Sequence, residues 1–196
     1  MLAAGLSKRF GTDKMLHMLS GRPVYSWIIE AACESSLAGV AMVCREKLLP
    51  HLPSGTSVRT VINVEPEKGQ STSMQLGLSA LPVQASHVLF LLGDQPLVTS
   101  TLINHFIALA RDEGTLACFS SGNYLGPPAL FGRRWFDRLK EIDGDSGAKR
   151  ILLENRNVLQ RVEAQFQGQE KDIDFAENHL ILEQLMQDYR VLYLSR

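Results

Sequence analysis

Cysteine is scarce and unpatterned in this chain: Cys33, Cys44 and Cys118 are three in number, far apart, and form no C-x-x-C pair. That spacing excludes a recognisable zinc motif and the dense disulfide framework of small secreted domains, and it fits a reducing cytoplasm. Cys33 and Cys44 fall in apolar segments and read as small buried hydrophobes. Long apolar runs are missing too. None reaches the ~18 residues of a membrane-spanning helix, and the first residues lack the charged-then-apolar pattern of a signal peptide. Nor is there an excess of charge: 20 Lys and Arg stand against 21 Asp and Glu, a formal net charge of −1. Broad attraction to nucleic acid or to a membrane surface is therefore not expected. The histidines (His17, His51, His87, His105, His179) have no ligand spacing. No G-x-S-x-G or persuasive Ser-His-Asp order occurs, which argues against hydrolysis through a covalent intermediate.

What remains is an ordinary globular composition, 45% hydrophobic and 21% charged over 196 residues, enough for one domain spanning 1–196 with a real core. The organising signal is alternation. Short apolar runs at 39–44 ("GVAMVC"), 58–63 ("VRTVIN") and 87–94 ("HVLFLLGD") predict buried strands. Between them, 23–35 places Val24, Trp27, Ile28 and Ala31 on one helical face behind Pro23, and 70–81 does the same with Met74, Leu78 and Leu81. The stretch 100–114 has a Ser/Thr start and a Gly stop. Further on, 115–120 and 128–132 read as strands, "RWFDRLKEI" and "SGAKRILLEN" as short helices, and 176–189 as a final helix. Strand–helix–strand alternation implies an α/β fold, a parallel sheet with helices on both faces.

In such a sheet, ligands sit at the carboxyl ends of the strands near the switch in strand order. Three segments should gather there. The opening stretch "LAAGLSKRFGTDKML" (2–16) carries Gly5 and Gly11, which permit backbone N–H groups to converge on an anion, with Arg9 and Lys14 as phosphate-suited cations. It is neither a Walker loop nor G-x-G-x-x-G. Asp94 ends an apolar strand, where a carboxylate suits Mg²⁺ or serves as a turn residue before Pro96. The segment 63–73 offers Gly69, Gln70, Ser71, Thr72 and Ser73 at a helix start, either as caps or as contacts to a nucleoside or phosphate. Near the end, Asp172 and Asp174 alternate across a short predicted strand and so share a side; Asp174 either caps the final helix or joins Asp94 on a metal. Asp145 reads as a helix N-cap.

Taken together, these segments resemble the MobA-like nucleotidyltransferases, and among them the molybdenum cofactor cytidylyltransferases. Residues 2–16 match the family pattern LAxGxSxRxGxxKxL nearly throughout. "NVEPEKGQSTSMQLGL" resembles the family's G-x-S-x-S segment, "GDQP" its metal-binding turn, and "GPPALF", "GDSGAK" and "DIDFAEN" its later signatures, in order over almost the whole chain. The resemblance implies a Rossmann-like three-layer α/β/α nucleotidyltransferase fold with a mostly parallel, mixed sheet, and an Mg²⁺-dependent transferase joining a nucleoside monophosphate to a phosphorylated acceptor with release of pyrophosphate. It implies that Leu2, Ala3, Ala4, Gly5, Ser7, Arg9, Lys14, Asn63, Gly69, Ser71 and Ser73 hold the nucleotide. Arg9, Lys14 and Asp94 would carry the catalysis, and Asp94 with Asp174 the metal. The acceptor it implies is a molybdopterin, carrying molybdenum and phosphorylated at its end.

Guanylyl-transferring relatives usually read LAGG, whereas this chain reads Leu2-Ala3-Ala4-Gly5, which favours CTP over GTP. Two departures from the family pattern stand out. Only Met1 and Leu2 precede Ala3 where the family carries a full central strand, so the resemblance implies either a late start or a neighbouring segment filling the gap. "FAEN" also replaces the usual TPED, which leaves Asp174 in place and changes the helix start behind it. The rival readings are a transferase using GTP or another acceptor, and a non-catalytic maturation factor delivering cofactor to a molybdenum hydroxylase apo-enzyme.

Overall fold

Alternating side chains along short strands can be buried on both sides only if each face of the sheet is covered. In the computed structural model, which describes residues 1–7, 10–52, 57–144, 148–173 and 178–193, that is what happens. Strand β1 (Leu2–Ala3) lies parallel to β4 (Val40–Cys44), and β4 lies parallel to β5 (Val58–Ile62). On its other side β1 meets Leu92, just past β6 (His87–Phe90), through a parallel bridge. Strand β6 pairs with β8 (Tyr124–Gly132), β8 with β7 (Leu116–Ser121), and β7 with β9 (Gln160–Glu163). The order across the molecule is β5-β4-β1-β6-β8-β7-β9, with β8 the antiparallel strand. A separate hairpin joins β2 (Met18–Leu19) to β3 (Arg22–Pro23).

The two faces divide the core by single-residue alternation. Ala3, Met42, Cys44, Leu91, Ala117, Phe119 and Leu130 pack with α1 (Val24–Glu34) and α3 (Ser100–Leu109). Leu2, Val43, Phe90, Cys118, Ala129 and Phe131 pack with α2 (Gln70–Ser79), α4 (Phe136–Lys140) and α5 (Lys149–Glu154). A third cluster seats Leu182 and Met186 of α6 (Asn178–Tyr193) against Leu19, Val24 and Trp27. The chain thus has the α/β, three-layer architecture expected of it, as one domain with a mostly parallel sheet.

Several local expectations are corrected. Cys33 is exposed, because Glu30, Cys33 and Glu34 form the solvent stripe of α1 at i, i+3, i+4 spacing. Cys44 and Cys118 are buried, and burial pushes the Cys118 thiol up to about 11. Helix α3 ends at Leu109, ahead of the Gly stop, and Thr99 is its cap, accepting from the Leu102 N–H. Residues 171–173 are not in a strand, contrary to the strand predicted through Asp172. Asp145 and Asp174 lie outside the described residues.

The Met1 nitrogen donates to the Ala41 carbonyl at 2.7 Å, alongside the pairing of β1 with β4. A second cleft, of about 680 Å³, runs between Val40–Ala41 and His87–Leu89.

Candidate functional site

Three loops leave the carboxyl ends of β1, β5 and β6 on the same side of the sheet, at the switch point between β4 and β6. They enclose a cavity of about 330 Å³. Leu2, Ala4, Gly5, Ser7, Lys14, Gly69, Ser73 and Asp94 all line it, together with Gln70 and Glu67. The gathering of the three segments is as the sequence predicts. Ala3, Asn63 and Ser71 do not line the cavity, and Arg9 lies outside the described residues.

The opening loop is folded back on itself. Ser7 sits in the left-handed region at φ 53°, and its hydroxyl accepts from the Lys14 N–H at 3.2 Å. Lys14 begins a single 3₁₀ turn (Lys14–Leu16) whose N-cap is Asp13. The Asp13 carboxylate is held hard: Arg45 Nη2 donates to both its oxygens at 2.8 Å, and Lys47 Nζ lies 3.0 Å away. Arg45 follows β4 directly, so this clamp ties the loop to the sheet. Nothing in the sequence pattern pairs residues 13 and 45; only the parallel packing of β1 on β4 does.

Across the cavity floor, Lys14 Nζ meets Asp94 Oδ2 at 2.5 Å, with both side chains only 12% and 14% exposed. Asp94 reaches this position because Gly93 passes against β1. A Cβ at residue 93 would lie 2.9 Å from Met15 Sδ, 3.1 Å from Ala3 Cβ and 3.3 Å from the Leu2 carbonyl oxygen. Gly93→Ala should cost about 1–3 kcal/mol by overpacking and displace the Lys14–Asp94 contact. Chemical denaturation checks the first effect; an unchanged midpoint would show that β1 and Met15 yield freely.

At the third wall, Asn63 is fully used inside the protein. Its amide nitrogen donates to Thr72 Oγ1 at 3.1 Å and Ser73 Oγ at 2.9 Å, and its oxygen accepts from the Glu65 N–H at 2.9 Å. It fixes the entry of α2 relative to β5. The expectation of a hydroxyl cap is corrected: Gly69, at φ 99°, is the N-cap residue of α2, no side chain caps it, and the Thr72 hydroxyl donates to the Gly69 carbonyl. The start of α2 borders the cavity through Gly69, Gln70 and Ser73.

Beside the Asp94 turn lies a polar group that the sequence did not single out. Gln95 is buried; its Nε2 donates to the Tyr124 hydroxyl at 3.1 Å, and that hydroxyl donates to the Pro127 carbonyl at 3.2 Å. The Gln95 Oε1 has no partner among the described residues. Burial raises the Tyr124 pKa to about 12, with Asp172 and Asp94 adding to the rise and the Gln95 bond opposing it. Tyr124 is therefore a protonated donor at neutral pH. The Ile173 N–H donates to the Asp94 carbonyl at 3.1 Å, which seats 172–173 against the turn.

The donor set fits a hard divalent cation that takes most of its ligands elsewhere. Asp94 is one carboxylate, at a position already occupied by a cationic group, and Mg²⁺-type ions use one or two protein carboxylates plus phosphate and water. Among the described residues no set of three His, Cys, Asp or Glu side chains could enclose a metal, so an all-protein zinc-type cage does not fit. No described helix is long and apolar enough to cross a membrane.

Comparison with known proteins agrees with this fold. The model of the MobA-like NTP transferase domain matches residues 1–162. The purine catabolism protein PucB of Bacillus subtilis is 30% identical over 94% of this chain and 95% of its own length. A nucleotidyl transferase from Methanothermobacter superposes with a TM-score of 0.81 at 22% identity, covering 95% of both chains. Rv0371c of Mycobacterium tuberculosis, solved in complex with manganese, superposes at 0.67 and 20% identity over 83% of this chain and 85% of its own.

Proposed function

Because the chain belongs to the MobA-like NTP transferase domain family, we propose that it transfers CMP from CTP to the terminal phosphate of molybdenum-carrying molybdopterin and releases pyrophosphate. The observation that carries this reading is the Lys14–Asp94 pair on the floor of a cavity walled by the Gly5–Ser7 loop and the start of α2. A triphosphate needs fixed cations, converging N–H groups and a carboxylate for its metal, and those are the features that meet there.

An oxygen of the acceptor phosphate attacks the α-phosphorus in line. One P–O bond forms, the α–β bridging P–O bond breaks, and its electron pair leaves with pyrophosphate. The acceptor is already ionised at neutral pH, so the step needs no general base. Lys14, with Arg9, offsets charge on the departing phosphates. Backbone N–H groups of residues 4–7 and of the first turn of α2 orient them. Asn63 and Ser71 act behind the wall, holding α2 in place, and Ala3 backs the loop from within the core. Gly5 leaves open space where a side chain would stand, with nothing within 4 Å of its Cβ position. Asp94, with Asp174 as second carboxylate, would hold a divalent cation, which would supply positive charge to offset that on the phosphates; the manganese complex of the mycobacterial relative supports that choice of group.

Ala4 lines the cavity, and its methyl group narrows the space offered to the base. One methyl is worth about 1–3 kcal/mol, or 10- to 200-fold, in discrimination. Pyrophosphate release with molybdenum-loaded molybdopterin should therefore be at least about tenfold faster with CTP than with GTP, and Ala4→Gly should shrink that ratio. A preference for GTP would overturn the base assignment and leave the transferase. Binding of a nucleotide without turnover would favour the maturation-factor reading.

A further inference from the structure

Lys14 and Asp94 serve opposite partners in the reading above, phosphate for one and a divalent cation for the other, yet here they hold each other. Their contact is 2.5 Å, both are about seven-eighths buried, and the pair sits on the cavity floor. A divalent cation cannot join Asp94 Oδ2 while an ammonium occupies it, because the two positive charges would share one oxygen with little water to screen them. Lys14 has little freedom to yield by moving its backbone: its N–H is bound to Ser7, and Asp13 is clamped by Arg45 and Lys47. Only the side chain can leave, and a cation that leaves a partly buried carboxylate needs another anion to receive it. The triphosphate, arriving between the Gly5–Ser7 loop and α2, is that anion.

Resting on the nucleotidyl-transfer reading, we infer that the Lys14–Asp94 ion pair is an internal gate. Lys14 occupies the metal carboxylate until nucleotide draws it away, so that nucleotide and divalent cation bind with strong positive coupling and the cation alone binds weakly. The consequence for the enzyme is order. An empty site does not collect free metal, and Asp94 becomes available only when a triphosphate is present to share the ion. Coupling is reciprocal, so the cation must tighten nucleotide binding by the same factor.

The test is Mn²⁺ binding to the intact chain, followed by electron paramagnetic resonance with no acceptor present, with and without a non-hydrolysable CTP analogue. For the wild type, the analogue should tighten Mn²⁺ binding beyond what the analogue binds by itself. Lys14→Met, with Lys14→Gln as a second variant in case one fails to fold, should bind Mn²⁺ alone between about 5- and 150-fold more tightly than the wild type, the range of ordinary coupling between sites. Asp94→Asn added to either variant should abolish the gain. If the Lys14 variants fold and bind Mn²⁺ no more tightly, while the analogue still recruits Mn²⁺ through Asp94, the gate is wrong and the transferase reading stands. If the analogue recruits no Mn²⁺ to the wild type at all, that reading and the gate fall together.

Discussion

Asp94→Ala is expected to lower kcat/KM for pyrophosphate release by about 10²–10³-fold while leaving the fold intact, since groups that offset transition-state charge in a partly buried site are worth that much. The structural argument has two parts. Asp94 follows β6 at the strand end nearest β1, its carbonyl is tied to the Ile173 N–H, and its carboxylate points at Lys14 across the cavity. Removing it therefore deletes a charge from the floor without opening the core. The same substitution releases Lys14, so nucleotide binding measured without divalent cation should survive, and the loss of turnover should fall mainly on kcat. Equal loss of nucleotide binding in the absence of divalent cation would mean that Asp94 shapes the loop and does not act on the reacting phosphates.

Phe106→Ala should destabilise the protein by about 3–5 kcal/mol, the largest single effect on folding expected here. Phe106 is fully buried on α3, within the cluster that joins α1 and α3 to the β1 side of the sheet. Deleting its ring leaves a cavity lined by side chains already fixed by their neighbours, so little collapse is available. Against a typical domain stability of about 5–15 kcal/mol, that loss is large. Val83→Ala is the contrasting case: Val83 is 86% exposed, and the change should stay within about 0.5 kcal/mol. Urea unfolding of both variants reads the difference, and similar midpoints for the two would undercut the burial argument.

What could be read from the sequence followed from period and position. The runs ending at Cys44 and Phe90 are continuous because both faces of those strands are covered, and that is legible in one dimension. So is the polar, glycine-bearing loop behind Leu2–Ala3, because no core element tolerates it, and so is Asp94 at the end of an apolar run. Their convergence at one cavity follows from the general habit of parallel sheets. What escaped depended on contacts between distant segments. Asp13 looks like any turn residue until β1 packs on β4 and brings Arg45 to it. Tyr124 carries no signal in its own hairpin; its partner Gln95 reaches it only through the pairing of β6 with β8.

Cys33 shows the opposite failure. An apolar-looking segment includes the exposed stripe of α1, and one helical turn decides which side a residue takes. The hydroxyls of 71–73 likewise invited a capping role, whereas Asn63 had already engaged Thr72 and Ser73 from the strand behind them. Cap chemistry is local, and here a tertiary bond outcompeted it.

The most direct test is a crystal structure of the chain with Mn²⁺ and a non-hydrolysable CTP analogue, measured at the manganese absorption edge. The account predicts an anomalous peak at the Asp94 carboxylate, the triphosphate lying along the Gly5–Ser7 loop toward the start of α2, and Lys14 moved from Asp94 onto phosphate. Nucleotide bound away from this cavity, or manganese held without Asp94, would contradict it.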